Sequence, residues 1–266
     1  MRYLDDLRDA HKGREIWVIG CGPSIEAFPE DFFGGKVSIA LNWAHIAFPN
    51  TTYVHWYHSV WGGHREYAKE HPEILGKTIL PLPHELVKRP EDWGGGFEVP
   101  IWMRWTEAVS NRDEFAEGVR MLVEDGRTDQ CRSRYTVAHT AIQAAVLLGA
   151  RDVTLAGCEH HVGRDSNNSQ VRGMGRYNQE RVETRTRKDG TEERVIVHRP
   201  TGTKFDGSKI EWKEHTFEEM DEHWKGARIG TWWLASLLGE RGIRVRRYFY
   251  PEGYREITQE ETDESY

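Results

Sequence analysis

Cysteine is scarce in this chain of 266 residues, which has only Cys21, Cys131 and Cys158. Three cysteines cannot all pair with one another, and no two of them form a Cys-x-x-Cys motif. Disulfide frameworks use even sets of cysteines and belong to oxidising compartments. The count therefore favours a protein with reduced thiols, which we expect in the cytoplasm.

Long apolar runs and an excess of positive charge are also missing. No run approaches the length of a membrane-spanning helix, and the first residues lack the apolar segment of a secretory signal. Lysine and arginine number 36 against 43 acidic residues, giving a net charge of −7. Dedicated duplex-DNA binders are usually basic. We expect no membrane span and disfavour nucleic acid as a partner, although local basic stretches keep it open.

Paired acidic residues of the Asp-x-Asp type do not occur anywhere in the chain. Such pairs hold a divalent ion against a diphosphate group. Histidines such as His55, His58, His160 and His161 are grouped along the sequence, but their spacing matches no established metal signature. We therefore predict no metal site and no required cofactor, with Mg²⁺ as the alternative.

Short apolar runs alternate with helical patterns along most of the chain. The predicted strands are residues 15–20, 37–41, 53–57, 78–82, 153–156 and 243–249. The predicted helices are a short one that begins at Ser24 and others at residues 61–71, 111–124, 136–148 (ended by Gly149) and 230–240. This alternation predicts an α/β fold with a Rossmann-like parallel sheet and helices on both faces.

Composition divides the chain into four parts. Residues 1–162 form the predicted nucleotide-binding α/β core, and residues 226–255 return to it with a helix and a strand. Residues 163–225 are polar and glycine-rich, which predicts a lid-like insertion containing a hairpin around Gly190. Residues 256–266 are acidic and predict a flexible tail. Residues 83–105 are rich in proline, glycine and tryptophan, which predicts a long surface loop.

A glycine-rich turn follows the first predicted strand at Gly20, Cys21, Gly22, Pro23 and Ser24. It is too short for the dinucleotide fingerprint, and no Gly-Lys-Ser/Thr follows it as in a phosphate-binding P-loop. What remains is a tight turn that exposes N–H groups, stiffened by proline and capped by serine. We favour phosphate binding at this turn over the alternative of an ordinary strand-to-helix connection.

Polar residues also follow two other predicted strands. Asn42 comes after residues 37–41, and its amide is suited to a base or ribose edge; the alternative is a turn that starts the next helix. Glu159 comes after residues 153–156 and is suited to ribose hydroxyls or acid–base chemistry; the alternative is a strand end facing water. The carboxyl ends of parallel strands share one edge, so we expect these residues to meet there.

His215 and His223 lie in the segment that returns from the predicted lid. A histidine delivered over a cleft is suited to act as a general base near neutral pH. The alternative for each is a solvent-exposed histidine without a catalytic role.

Together these segments resemble the bacterial sialyltransferases of glycosyltransferase family 42 and, more distantly, the pterin diphosphokinase-like family. The resemblance is carried by the Gly-x-Gly-Pro-Ser turn, by Asn42, by Arg134 and Thr136 before an alanine-rich helix, and by the Gly-x-Glu segment ending at Glu159. The chain departs from the family pattern in having Cys21 and His58 where the family has asparagine, and Glu159 where it has aspartate.

The resemblance implies a metal-independent glycosyltransferase that uses a CMP-sugar type of donor and a hydroxyl acceptor. The turn and Thr136 then bind donor phosphate and ribose, Asn42 and Glu159 orient the nucleotide, and Arg134 offsets negative charge. His223 is the implied general base, with His215 second. The remaining predicted nucleotide-binding residues are His58, Gly157 and His161.

Three other functions remain open from the sequence. The pterin diphosphokinase-like relatives suggest Mg²⁺-dependent diphosphate transfer from ATP to a hydroxymethyl-pterin-like compound. Group transfer onto modified DNA bases would suit the tryptophan and arginine side chains of residues 163–249, although the acidic net charge argues against it. A nucleotide-sensing module without turnover would use the same predicted site, and a homo-oligomer is open in every case.

Overall fold

The computed structural model describes residues 2–56, 62–81, 101–103, 107–127, 131–134, 136–160, 174, 178–200 and 213–262. The strands are β1 Arg2–Tyr3, β2 Glu15–Ile19, β3 Val37–Leu41, β4 Tyr53–His55, β5 Thr78–Pro81, β6 Ile101–Met103, β7 Glu107–Ala108, β8 Arg132–Ser133, β9 Asp152–Ala156, β10 Asn178–Thr186, β11 Glu192–Pro200, β12 Lys213–Thr216, β13 Arg244–Phe249 and β14 Gly253–Glu256. The α-helices are α1 Ala44–Ala47, α2 Gly62–Glu70, α3 Arg112–Arg120, α4 Val137–Leu147 and α5 Phe217–Gly239.

Nine strands form one sheet in the order β1-β6-β5-β4-β3-β2-β9-β13-β14. Neighbouring strands in it are parallel except for β14, which runs antiparallel to β13 at one edge. The predicted α/β fold with a Rossmann-like parallel sheet is confirmed. Among the described residues, no helix has the length and apolar character needed to cross a membrane.

Both faces of the sheet are covered, and β2 shows why. Ile16 and Val18 pack into the cluster that contains α4, whereas Trp17 and Ile19 pack on the opposite face against an aromatic cluster. Successive strand residues point to opposite faces, so a run that is apolar at every position fits only a strand buried on both sides. The central position of β2 follows directly from this run.

Helix α4 lies against the sheet with residues on nearly every face buried. Thr136 caps its N-terminus by accepting a hydrogen bond from the N–H of Ala138 at 3.2 Å. Gly149 ends the helix as predicted: it follows the C-cap residue Leu148 and has a left-handed φ of 92°. Glycine adopts this conformation without the steric cost of a side chain.

The predicted helix at Ser24 is wrong in type and in its cap. The segment is a 3-10 turn, Pro23–Ala27, and Gly22 occupies the N-cap position without a side-chain hydrogen bond. Ser24 lies inside the turn, and its backbone N–H donates to the carboxylate of Glu159 at 3.0 Å. Contact with the neighbouring turn, and not a serine cap, therefore fixes this segment.

The predicted loop at residues 83–105 contains the buried strand β6, whose residues are at most 2% exposed. Strand β1, which pairs with β6, was also not predicted. Strands of two or three residues are too short to show a periodic pattern. The rest of that segment, residues 83–100 and 104–105, lies outside the described residues.

Helix α5 begins at Phe217, 13 residues before the predicted start at Gly230. A capping box between Thr216 and Glu219 starts it, and its first turns are strongly polar, which concealed them in a charged region. The hairpin of β10 and β11 is confirmed, with Gly190 in its turn at a φ of 86°. The assignment of residues 163–225 as a lid stays a prediction.

The chain after β14 differs in part from the predicted flexible tail. Glu261 forms an ion pair with Arg247, and Thr262 is 6% exposed. The end of the described chain is therefore held to β13 by this ion pair and contacts α5, while residues 263–266 lie outside the described residues.

Candidate functional site

A cleft lies at the carboxyl edge of the sheet, where β2, β3 and β9 end. Strands β3, β4 and β5 extend the sheet on one side of β2, and β9 lies on its other side, so the direction in which the sheet grows reverses there. Open α/β sheets bind ligands at such a switch point. The lining residues are Gly20, Cys21, Gly22, Pro23, Leu41, Asn42, Thr136, Val137, Ala138, Gly157, Cys158, Glu159, His160 and Trp224.

The sequence therefore identified most of this cleft. Eight predicted binding residues line it together: Gly20, Cys21, Gly22, Pro23, Asn42, Thr136, Gly157 and Glu159. Its volume is about 90 Å³, below the roughly 300–1,000 Å³ of sites that enclose a whole small molecule. A ligand of nucleotide size would therefore extend beyond the cleft.

The turns after β2 and β9 cross at very close range. The N–H of Gly20 donates to the carbonyl of Ala156 at 2.7 Å, and that of Gly22 donates to Gly157 at 2.8 Å. A Cβ atom placed on Gly20 would lie 2.0 Å from the carbonyl oxygen of Gly157. Glycine is required at this position because a side chain would collide with backbone.

The N–H groups of the turn are engaged within the protein. Besides those of Gly20 and Gly22, the N–H of Ser24 donates to Glu159, and that of Ile25 donates to the carbonyl of Gly22. The expectation that this turn exposes its N–H groups for phosphate is therefore wrong at these four positions. These four N–H groups are not available to a ligand.

The carboxyl group of Glu159 is buried just after the end of β9. Burial raises the pKa of its carboxyl, against the opposing effects of backbone N–H donors, including that of Ser24, and of the charge on Arg247. Its Oε2 atom is buried without a hydrogen-bond partner in the described part of the chain. The alternative of a strand end facing water is therefore wrong for this residue.

Asn42 has a left-handed φ of 46° just after β3. Its N–H donates to the carbonyl of His55 at 2.9 Å, and its own carbonyl accepts from Nδ1 of His45 at 2.7 Å and from Nε1 of Trp56 at 3.1 Å. Its side-chain Oδ1 is buried and has no partner within the described residues. The alternative of a helix-starting turn is wrong, because the N-cap of α1 is Trp43 and no side chain caps it.

His160 and Trp224 line the cleft but were not among the predicted site residues. His160 has a φ of 56° and is 8% exposed, and its ring is stacked on that of Trp224 at a centroid distance of 5.9 Å. Nε2 of His160 lies 3.4 Å from Oγ1 of Thr136. The position of His160 directly after Glu159, near a strand end, was an available signal for this location. Trp224 belongs to the part of α5 that was not predicted.

A buried arginine also stands behind the cleft. Arg228 is 2% exposed, and its Nη1 donates to the carbonyl of His160 at 2.8 Å. It brings a positive charge to the back of the cleft and fixes the backbone of His160. Its location inside the unpredicted part of α5 explains why the sequence did not reveal it.

The three predicted catalytic residues do not line the cleft. Arg134 donates to the carbonyl of Ser110, and its guanidinium lies 4.9 Å from the ring of Trp233. His215 belongs to β12, where its Nδ1 is 3.9 Å from a carboxylate oxygen of Glu219.

His223, the predicted general base, approaches most closely, with its ring edge-on to that of Trp224 at 5.1 Å. It is nevertheless absent from the lining of the cleft. The predicted binding residues His58 and His161 lie outside the described residues.

The cysteines at the cleft are not suited to act as nucleophiles. Burial raises the pKa of Cys21 to about 11, and burial also raises the pKa of Cys158. The thiol of Cys21 donates to the carbonyl of Leu41 at 3.4 Å. Both thiols stay protonated at neutral pH, and the thiolate is the reactive form.

No family model matches this chain, and no curated protein matches it either. A search of solved structures finds a similarity to the sialyltransferase CstII from Campylobacter jejuni in complex with a substrate analogue, cytidine-5'-monophosphate. The match has a TM-score of 0.31 and 13% identity, and it covers 55% of this chain and 62% of that chain. The matched region is therefore less than two thirds of that protein, and the similarity is a distant structural one.

Proposed function

We propose that this chain is a transferase that binds a nucleotide-activated sugar of the CMP-sugar type and passes the sugar to a hydroxyl acceptor without a metal ion. The observation that carries the proposal is a convergence of buried polar atoms on the cleft at the switch point. Oδ1 of Asn42, Oε2 of Glu159 and Nε1 of Trp224 are all buried without a partner in the described part of the chain. Buried polar atoms in native proteins rarely lack partners, so a ligand with complementary groups accounts for all three.

These atoms suit a nucleotide. The oxygens of Asn42 and Glu159 accept hydrogen bonds from ribose hydroxyls or from an amino group on the base. The indole N–H of Trp224 donates to a phosphate or carbonyl oxygen. A departing nucleoside monophosphate carries less charge than a diphosphate and needs less neutralisation.

The proposed general base is His160, because among the described residues it is the histidine that lines the cleft. Its ring takes the proton of the acceptor hydroxyl while the acceptor oxygen bonds to the anomeric carbon of the sugar. The bond between that carbon and the phosphate oxygen breaks, and the nucleoside monophosphate leaves with the electron pair. His223 and His215, which the sequence favoured, are the second and third candidates for this role.

Mg²⁺-dependent diphosphate transfer has less support from the cleft. Within the described ranges, no three histidine, cysteine, aspartate or glutamate side chains come together as a metal site. Glu159 would have to act as a magnesium ligand there without a second carboxylate from those residues.

Group transfer to DNA is also less favoured. Two arginines of the β10–β11 hairpin face acidic partners: Arg185 pairs with Glu214, and Arg187 pairs with Glu193. Proteins gain affinity for nucleic acid when free cationic side chains neutralise phosphates and release their counterions. Guanidinium groups that are already paired with carboxylates contribute less to this effect.

A thermal-shift panel of CMP, CDP, UDP, ATP and GTP, each with and without Mg²⁺, tests the proposed function. We expect CMP to raise the melting temperature without metal, by about 5–10 °C at 100 times Kd. Stabilisation by ATP only in the presence of Mg²⁺ would favour diphosphate transfer. No shift with any nucleotide would contradict the proposal.

A further inference from the structure

Three buried residues form a chain of contacts behind the cleft. Nε2 of His139, on α4, lies 3.1 Å from Oγ1 of Thr231, on α5. The same Oγ1 lies 3.4 Å from Nδ1 of His160. His139 and Thr231 are fully buried, and His160 is nearly so. The neighbouring groups indicate which ring nitrogen of each histidine carries a proton and to which acceptor the hydroxyl of Thr231 donates.

The proton of His139 is fixed by the backbone. The N–H of Arg134 points to Nδ1 of His139 at 2.9 Å, and an N–H group only donates, so Nδ1 must be the unprotonated acceptor. Burial lowers the pKa of His139 to about 3, so its imidazole is neutral. The single ring proton is then on Nε2, which faces the carbonyl of Ala227 at 3.1 Å and Oγ1 of Thr231.

The hydroxyl proton of Thr231 has its nearest acceptor within α5, where the carbonyl of Ala227 lies 2.9 Å away. Threonine in a helix commonly donates to the carbonyl four residues earlier. Its oxygen then keeps two lone pairs, of which one meets the Nε2–H of His139. The other meets Nδ1 of His160, which must carry a proton to bond there.

We propose that Thr231 is a positioning residue that accepts a hydrogen bond from Nδ1–H of His160 and leaves Nε2 of His160 as the nitrogen that receives a proton. The tautomer follows from these contacts together with the neutral state of the buried His139; its use in catalysis rests on the proposed function. Nε2 is the ring nitrogen that faces Thr136 at the cleft. Thr231 thus acts through His160 and not by touching a substrate.

Neighbouring groups hold the ring of His160 in the orientation that this tautomer needs. Trp224 stacks on it with an interplanar angle of 10°, and Arg228 anchors its carbonyl. Helix α5 approaches His139 so closely that a Cβ atom on Gly230 would lie 2.5 Å from its Cε1. The glycine before Thr231 therefore permits the contact between the two helices.

Side-chain ¹⁵N NMR of the ligand-free protein tests this inference without any substrate. We expect the signals of His160 to show a protonated Nδ1 and an unprotonated Nε2 in the wild type and in Thr231→Ser. Thr231→Val has nearly the same shape without the hydroxyl, and we expect it to lose this single tautomer. A protonated Nε2 in the wild type, or an unchanged tautomer in Thr231→Val, would overturn the inference.

Turnover gives a second readout once a donor is identified. Loss of one hydrogen bond to the base predicts a decrease in kcat of about tenfold in Thr231→Val, with KM unchanged and recovery in Thr231→Ser. An equal loss in both variants would overturn the positioning role. If no nucleotide binds, the proposed function fails, and the NMR signals still decide the tautomer.

Discussion

The carboxylate of Glu159 accepts a hydrogen bond from the backbone N–H of Ser24 at 3.0 Å. This contact joins the turn after β9 to the turn after β2 across the candidate site. In a phosphate-binding loop, the N–H groups of such a turn are directed at the ligand. Here a side chain of the protein takes that position, so the N–H of Ser24 is not available to a ligand.

Replacing Glu159 with glutamine is expected to stabilise the protein at neutral pH. Burial raises the pKa of this carboxyl above its ordinary 4.5, so the folded state binds its proton more tightly than the unfolded state. The free energy of unfolding of the wild type therefore decreases as pH rises from about 4.5 through the pKa of the folded state, and it remains at the lower value at higher pH. Glutamine removes that loss, and each 1 kcal/mol gained raises Tm by roughly 2–4 °C.

Thermal melts at pH 4 and pH 7.5 check this prediction. We expect Glu159→Gln to exceed the wild type at the higher pH and to approach it at the lower one. Glu240→Gln is the control, because Glu240 is exposed and forms a surface pair with Arg112; it should change stability by less than about 1 kcal/mol. A Glu159→Gln protein that is less stable at pH 7.5 would contradict the account.

Replacing Gly20 with alanine is expected to destabilise the fold and disrupt the cleft. The new Cβ would lie 2.0 Å from the carbonyl oxygen of Gly157, so one of the two turns has to move. Overpacking of this kind costs about 1–3 kcal/mol, or more where backbone must shift. Urea denaturation measures the loss, and the matched control is Gly239→Ala, which has nothing within 4 Å of its new Cβ. Equal stabilities of the two variants would contradict the close crossing of the turns.

The sheet was predictable because its central strands carry their own signal. Residues 15–19 and 37–41 are apolar at nearly every position, and such runs fit only strands covered on both faces. The strand β6 and the start of α5 had no comparable signal, since one is three residues long and the other opens with charged turns. Their positions are fixed by contacts that are distant in sequence.

The candidate site was predictable where it depends on strand ends and not where it depends on helix orientation. Asn42 follows β3 directly, and Glu159 comes three residues after the end of β9, so parallel pairing was enough to bring them together. His223 and Trp224 are neighbours in α5, and only the rotation of that helix decides which of them faces the cleft. The sequence pattern there did not determine that rotation, and the tryptophan lines the cleft.

Buried neutral histidines are expected to make the protein sensitive to acid. Burial lowers the pKa of His45 and His55 to about 4, and that of His139 to about 3. Their contribution to stability is complete above the unfolded value of 6.5 and declines as pH falls from 6.5 towards 4. Each group contributes up to about 1.4 kcal/mol per pH unit in that range.

Urea denaturation between pH 7.5 and pH 4.5 measures this dependence, with a steep loss of unfolding free energy as the expected result. Glu159 has the opposite dependence, so the measurement is best made in the Glu159→Gln background. His45→Asn keeps a donor towards the carbonyl of Asn42 and cannot titrate, and it should reduce the slope. A stability that stays constant down to pH 5 would refute the burial of neutral histidines.

The identity of the general base is decided by paired asparagine substitutions. His160→Asn removes the base, and asparagine tolerates the left-handed φ of 56° at this position. We expect kcat to decrease by about 10²–10⁴-fold with little change in nucleotide affinity. His223→Asn should retain turnover, because that ring contacts Trp224 and does not line the cleft. The reverse pattern would restore His223 as the base.

Two substitutions of Asn42 separate its backbone conformation from its side chain. Its φ of 46° disfavours alanine by about 1–2 kcal/mol but suits glycine, and both replacements remove Oδ1, the atom proposed to bind the ligand. Asn42→Gly should therefore melt close to the wild type and Asn42→Ala lower, while both weaken nucleotide binding by about three- to tenfold. Melting curves and calorimetric titrations of the same samples give both quantities. If Asn42→Gly binds as tightly as the wild type, Oδ1 is not a ligand contact, and the case for the site then depends on Glu159 and Trp224.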